Sequence, residues 1–302
     1  MIVDIHTHTF PDKIAAETIS KLQAASRTEP FTNGTNSGLQ ASMAASGVDC
    51  SVLLPVATNP RKVSGINDRA ALGNQSWQET GLYALGCIHP DMDDPRRELE
   101  RIAGLGLKGV KIHPAYQHTY FDDPKYLNIL ECCGALDLVV LAHAGIDIGL
   151  PEPVYCTPQM VRRALNCVGP VKLILAHMGG WRQWDEVEEV LADTDVYLDT
   201  SFSFGALTPL EGVQLPREEL ELMGEAQFLR FVRTFGAHRL LFGTDSPWGD
   251  PQADLARIRA LPLTPAEQKA ILGENACQLF QLKKSDRAAM IDTVLRNRGL
   301  HV

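Results

Sequence analysis

The segment IVDIHTH, residues 2–8, sets a short apolar run against three polar side chains spaced two apart, Asp4, His6 and His8. Seven more runs of this kind follow: CSVLLPV (50–56), LYALGCI (82–88), LKGVKIH (107–113), LVVLAH (138–143), VKLILAH (171–177), VYLDTS (196–201) and RLLFGTD (239–245). They are β-branched or leucine-rich on both faces, the pattern of parallel strands covered on two sides. Amphipathic stretches separate them, such as DDPRRELERIAGL (93–105), which opens on a Pro after an acidic pair and stops at Gly, and RQWDEVEEVLAD (182–193). Eight β-then-α units predict an α/β fold, a (β/α)8 TIM barrel, as a single domain over residues 1–283, with 284–302 as a C-terminal helical appendage. A doubly wound open sheet is the structural alternative. No glycine-rich turn follows the first strand, so a dinucleotide or P-loop site has no support.

Composition narrows the function classes. The chain has 302 residues, 45% hydrophobic and 22% charged, which is the balance of a soluble globular protein. Its net charge of −9 argues against a nucleic-acid or anionic-membrane partner, since both call for a basic face. No apolar run reaches the roughly 18–20 residues of a membrane helix. The opening MIVDIHTHTF lacks the pattern of a secretory signal, and seven cysteines without C-x-x-C spacing make a disulfide scaffold a poor reading. The expectation is a cytoplasmic enzyme with a small-molecule substrate, and a homodimer is compatible with it.

Barrel enzymes build their sites at the C-terminal ends of the strands. Ionisable residues collect there: His6 and His8 end the first run, His113 the fourth, His143 the fifth, His177 the sixth and Asp245 the eighth. Residues two apart on a strand share a face, so Asp4, His6 and His8 are expected to point one way and Val3 and Ile5 toward the helices. An i, i+2 histidine pair at the barrel mouth holds one metal ion well. With His143 and Asp245 from other strands, three imidazoles and a carboxylate suit Zn, with Mn, Fe or Co as competitors. Each residue alone has a plainer reading, a histidine bonded to a loop carbonyl or an Asp opening a turn. Four at one end of one barrel favour a metal centre.

Further along, His6-Thr7-His8, LAHAG at 141–145, LAHMGG at 175–180, LLFGTDSPW at 240–248 and GENACQLF at 273–280 resemble the amidohydrolase superfamily. Within it they look most like the amidohydrolase-2 branch, which includes the aminocarboxymuconate-semialdehyde decarboxylase-like enzymes. The resemblance implies a metal-dependent (β/α)8 barrel with His6, His8, His143 and Asp245 on the metal-ligand positions. It places His177 on the sixth-strand histidine, a second-metal ligand in binuclear members and an acid/base residue in mononuclear ones. Strand four carries Lys111 and His113 where binuclear members have a bridging carboxylated lysine or glutamate. Either Lys111 bridges two metals, or it is a buried charge neutralised by a partner such as Asp4.

The resemblance implies a metal-dependent hydrolase of a small amide, ester or lactone, with Asp245 and His177 as catalytic residues handling protons. The alternative is a metal-dependent decarboxylase or hydratase of an aromatic or muconate-type acid. More than half of the 20 aromatic residues fall in the loops after the strands, which suggests a planar or apolar ligand pocket. Arg61, His113, Tyr116, Trp181, Phe204 and Trp248 are the expected substrate-binding residues, and Arg182 is a second arginine placed to clamp a carboxylate.

Overall fold

The computed structural model describes residues 1–283; the helix expected over 284–302 lies outside the described residues. Among the described residues nine strands occur, β1 (Val3–Thr7), β2 (Cys50–Leu53), β3 (Leu82–Ala84), β4 (Gly86–Cys87), β5 (Gly109–Ile112), β6 (Val139–Ala142), β7 (Leu173–Leu175), β8 (Tyr197–Asp199) and β9 (Leu240–Leu241). Each pairs in parallel with its neighbours, in the orders β1-β2-β3 and β4 through β9. The ring closes where Ile5 N–H donates to Phe242 O at 2.9 Å and Asp245 N–H donates to His6 O at 2.8 Å. This is a (β/α)8 barrel in a single domain.

The run LYALGCI contributes one barrel position in two pieces, β3 and β4, broken at Leu85. Two side-chain amides cause the break. Asn74 accepts from Ala84 N–H at 2.7 Å and donates to its carbonyl at 2.9 Å. Asn67 does the same for Cys87, at 2.8 and 3.1 Å, and ties it to the buried Glu98. These bonds satisfy backbone groups that a ladder would otherwise use. Helices lie between strands as the amphipathic pattern requires. Pro95–Gly104 starts at Asp94, whose carboxylate caps Arg97 N–H, and buries Leu99 and Ile102. Trp184–Leu191 buries Trp184, Val187 and Leu191.

Two apolar layers result. Val110, Ile112, Val140, Ala142, Leu198 and Phe242 pack against the helices. Val52, Leu85, Val139, Leu141, Ile174 and Leu241 fill the barrel interior, floored by Phe280. Val3 and Ile5 belong to this interior group, which corrects the expectation that they face the helices. The cause is a register shift between Asp4 and Thr7, where β1 spends one more residue than β2. A bulge of this type inverts the alternation beyond it. Ile5 below the bulge and His6 above it therefore both face inward, while Asp4 does not share their face. The Asp4 carboxylate, 1% exposed, accepts from His6 N–H at 3.1 Å, Thr244 N–H at 3.0 Å and Thr244 Oγ1 at 2.6 Å. It pins the bulge to the strand that carries Asp245.

Above the barrel mouth the long connections are laced together. Glu29 N–H donates to Thr208 O at 2.9 Å, Leu210 N–H to Arg27 O at 2.9 Å, and Phe31 N–H to Pro247 O at 2.6 Å. The connection after β8 is thereby tied to those after β1 and β9.

Candidate metal centre

The seam between β9 and β1 assembles the centre. Asp245 follows β9 with φ 62°, a left-handed conformation uncommon outside glycine, and its backbone hydrogen bond to His6 holds it there. His8 N–H donates to Ser246 O at 2.7 Å. Gly243 leaves room for this approach: a Cβ there would stand 3.0 Å from His6 Cβ, and the histidine would have to give way by a few tenths of an ångström. Three side chains converge as a result. Asp245 Oδ1 lies 3.4 Å from His6 Nε2 and 3.3 Å from His8 Nε2.

The partners of the other ring nitrogens decide what this convergence means. His8 Nδ1 faces Leu54 O at 2.9 Å, and a carbonyl only accepts, so Nδ1 carries the hydrogen. His6 Nδ1 faces Asp199 Oδ2 at 2.8 Å, another acceptor. Both Nε2 atoms are then left with lone pairs. Burial, and secondarily the positive charge of Lys111, holds His6 well below the ordinary imidazole range, so it stays neutral. Burial opposes charge on Asp245, but His6, His8 and His177 in their protonated forms outweigh it and bring the carboxyl to about 2, a place that a bound cation would take when the imidazoles are neutral. Two nitrogen lone pairs and a carboxylate oxygen thus face one another with no hydrogen to share. Such a set repels itself and is complementary to a cation, and two imidazoles with a carboxylate form a donor set suited to a divalent metal.

Lys111 enters from β5. It is 1% exposed, its Nζ stands 3.3 Å from His6 Nε2, and burial, partly offset by Asp199, Asp245 and Asp147, brings it down to about 8. Its charge partners are these acids and not Asp4, which is committed to Thr244.

His143, the fourth expected ligand, stands one imidazole away. His177 Nδ1 faces Ser201 O at 3.0 Å and carries its hydrogen there, so His177 Nε2 accepts from His143 Nδ1 at 3.0 Å. His143 Nε2 is buried and has no hydrogen-bond partner among the described residues. The His143 ring stacks on His113 at 4.2 Å, and His113 stacks on Tyr116 at 4.0 Å. Asp147 Oδ2 lies 3.6 Å from His113 Nε2 and 3.7 Å from His143 Nε2. Burial lifts its carboxyl above the usual range, although Gly149 and Leu150 donate to it.

Of the other expected residues, Arg61 lines a cavity of about 620 Å³ with Tyr116, His118 and Lys125. Trp181 is 7% exposed, donates from Nε1 to Phe202 O, and is covered by Arg182 at 4.9 Å. Phe204 packs on Phe228 at 4.8 Å. Both rings thus have packing partners in the rim. Arg182 donates to the carbonyls of Glu218, Glu219 and Glu221, so it caps the short helix Arg217–Leu220 and is not free to clamp a carboxylate. Trp248 is half-buried beside Asp245, to whose carbonyl its N–H donates at 2.9 Å. Three residues of the centre escaped the sequence: Asp199, Ser201 and Asp147. Asp199 and Ser201 had a signal, since both lie in the polar close of the run VYLDTS, as His143 closes LVVLAH. Asp147 had none.

The family model described as amidohydrolase (Amidohydro_2) matches residues 3–282, and the chain belongs to that family. The fold is similar to that of 5-carboxyvanillate decarboxylase from Sphingomonas paucimobilis, with 19% identity, 93% of this chain and 99% of that one covered, and a TM-score of 0.67. For 2,6-dihydroxybenzoate decarboxylase from Rhizobium the values are 17%, 93%, 98% and 0.62. For 5-carboxyvanillate decarboxylase from Novosphingobium aromaticivorans, solved with manganese and a nitrobenzoic acid, they are 15%, 93%, 96% and 0.63. At these identities the likeness is one of fold. A sequence search of curated proteins found no match.

Proposed function

We propose that this chain is a divalent-metal-dependent decarboxylase acting on a planar aromatic or unsaturated carboxylic acid. The observation that carries the metal is the convergence of His6 Nε2, His8 Nε2 and Asp245 Oδ1 without a shared hydrogen. The neighbours named above support decarboxylation over the hydrolysis first expected, which has only family membership behind it. The manganese in one of them brings Mn level with Zn as the cation.

His6, His8 and Asp245 would hold a divalent cation, with His143 as a candidate fourth ligand, and the cation would supply a Lewis acid for a substrate oxygen. Asp245 is placed to manage the proton. Both of its imidazole contacts fall on Oδ1, which leaves Oδ2 to take a proton from solvent and hand it to the substrate carbon that bears the carboxylate. The C–C bond to that carboxylate then breaks, its electron pair restores the unsaturation, and carbon dioxide leaves. His177 has both ring nitrogens engaged, so its part is to orient His143 and not to donate the proton itself. Tyr116, whose ring stacks on His113, and Arg61 line a cavity that His6, His8 and Asp245 do not line, and there a planar acid would have an aromatic face and a cation to meet.

The test is carbon dioxide release from a panel of aromatic and muconate-type acids by the Mn- or Zn-loaded protein. Amides, esters and lactones are assayed beside them. Release that stops with chelator supports the reading; hydrolysis without carbon dioxide release from any acid overturns it.

A further inference from the structure

Asp199, at the end of β8, is 0% exposed and takes no part in the convergence described above, yet its carboxylate is fully occupied. Oδ1 accepts from His177 N–H at 2.9 Å, Ser201 N–H at 3.1 Å and the Ser201 hydroxyl. Oδ2 faces His6 Nδ1 at 2.8 Å, and Ser201 Oγ stands 2.9 Å from the same nitrogen. Since the serine hydroxyl hydrogen goes to Asp199, every group around His6 Nδ1 is an acceptor.

We infer that Asp199 is a positioning residue that selects the tautomer of His6. It requires the hydrogen on Nδ1, and so leaves the Nε2 lone pair aimed at the metal centre; the inference rests on the reading of that centre as a cation site. A neutral imidazole in water divides its hydrogen between the two nitrogens, and a ligand with Nε2–H cannot bind. A carboxylate behind a ligating histidine removes that ambiguity, and such partners typically carry 10–100-fold in metal affinity.

The isosteric substitution Asp199→Asn makes the inference sharp. Three donors surround Oδ1, so the amide oxygen is fixed on that side and the NH2 is turned toward His6 Nδ1. Two donors then meet, and the ring has to carry its hydrogen on Nε2 instead. Shape and backbone bonds are kept while the tautomer reverses.

Two readouts on the full chain test this. In protein with 15N-labelled histidine and no metal, long-range proton–nitrogen spectra report the tautomer of His6, its signal assigned by loss in His6→Asn. The expected result is Nδ1–H in the wild type and Nε2–H in Asp199→Asn. Titration with Mn2+ and Zn2+ is expected to show affinity about 10–100-fold weaker in Asp199→Asn. Nε2–H in the wild type, or Nδ1–H in both proteins, overturns the inference, and the first of these is decisive even if Asp199→Asn does not fold. A tautomer that switches as described in a wild type that binds neither cation upholds the role of Asp199 and overturns the cation site.

Discussion

Lys111 Nζ and His6 Nε2 stand 3.3 Å apart inside the barrel, a cation beside a nitrogen whose lone pair is turned to the metal centre. Burial of Lys111, only partly offset by Asp199, Asp245 and Asp147, lowers its pKa to about 8. A depressed lysine favours the fold above its unfolded value, and that contribution is lost as pH falls through about 8. The charge it acquires there also opposes a divalent cation. Metal affinity is therefore expected to rise between pH 7 and pH 9 by about tenfold, and Lys111→Met to flatten that rise. Titration of Mn2+ at a series of pH values checks it; an unchanged slope in the variant disproves the coupling.

Asp245→Asn keeps the shape of the seam and removes the charge between His6 and His8. Turnover should fall by at least about 100-fold, the scale of a lost proton-handling group, with the thermal midpoint of metal-free protein nearly unchanged. Steady-state kinetics beside a melting curve decide the point.

Asp4 answers three donors in a buried site, and burial, opposed by those donors, raises its carboxyl to about 7. Asp4→Ala strands His6 N–H, Thr244 N–H and the Thr244 hydroxyl, at about 1–3 kcal/mol for each group left unsatisfied. The expected loss is therefore several kcal/mol, read by denaturant unfolding. Asp4→Asn, which keeps an acceptor, should lose less. Because a raised acid favours the fold below its unfolded value and ceases to as pH passes about 7, Asp4→Asn should also weaken the decline in stability from pH 5 to pH 9.

Arg182 holds the connection after β8 by three carbonyls at the end of one short helix. Arg182→Ala leaves those carbonyls to water and should make residues 208–216 the first site of limited proteolysis. The barrel strands should stay resistant. Equal cleavage rates in both proteins would show that the bonds to Arg27 and Glu29 suffice.

How far the sequence reached depends on the kind of fact. Periodicity places eight strand positions, and the break at Leu85 escaped because Asn67 and Asn74 act from a helix and its following turn, remote in sequence from the carbonyls they take. His6, His8 and Asp245 were legible because polar residues ending apolar runs must emerge at one rim of a parallel barrel. The face of Val3 and Ile5 was misread because a bulge is an event of pairing between two strands, invisible in either one. The packing partners of Trp181 and Phe204 were not legible, because an aromatic loop residue has the same composition whether it meets a ligand or a neighbour.

By itself, then, the sequence determined the barrel, the end of it where ionisable residues collect, and most of the residues that meet there. Those follow from alternation and burial, which are local properties of each run. Tertiary structure alone decided that His6 faces inward past a bulge, that Asp199 stands behind it from 193 positions away, and that Lys111 leans on it across the interior. Closing a barrel brings the ends of remote strands within hydrogen-bonding distance, and which donor then meets which acceptor is set by register and not by residue type.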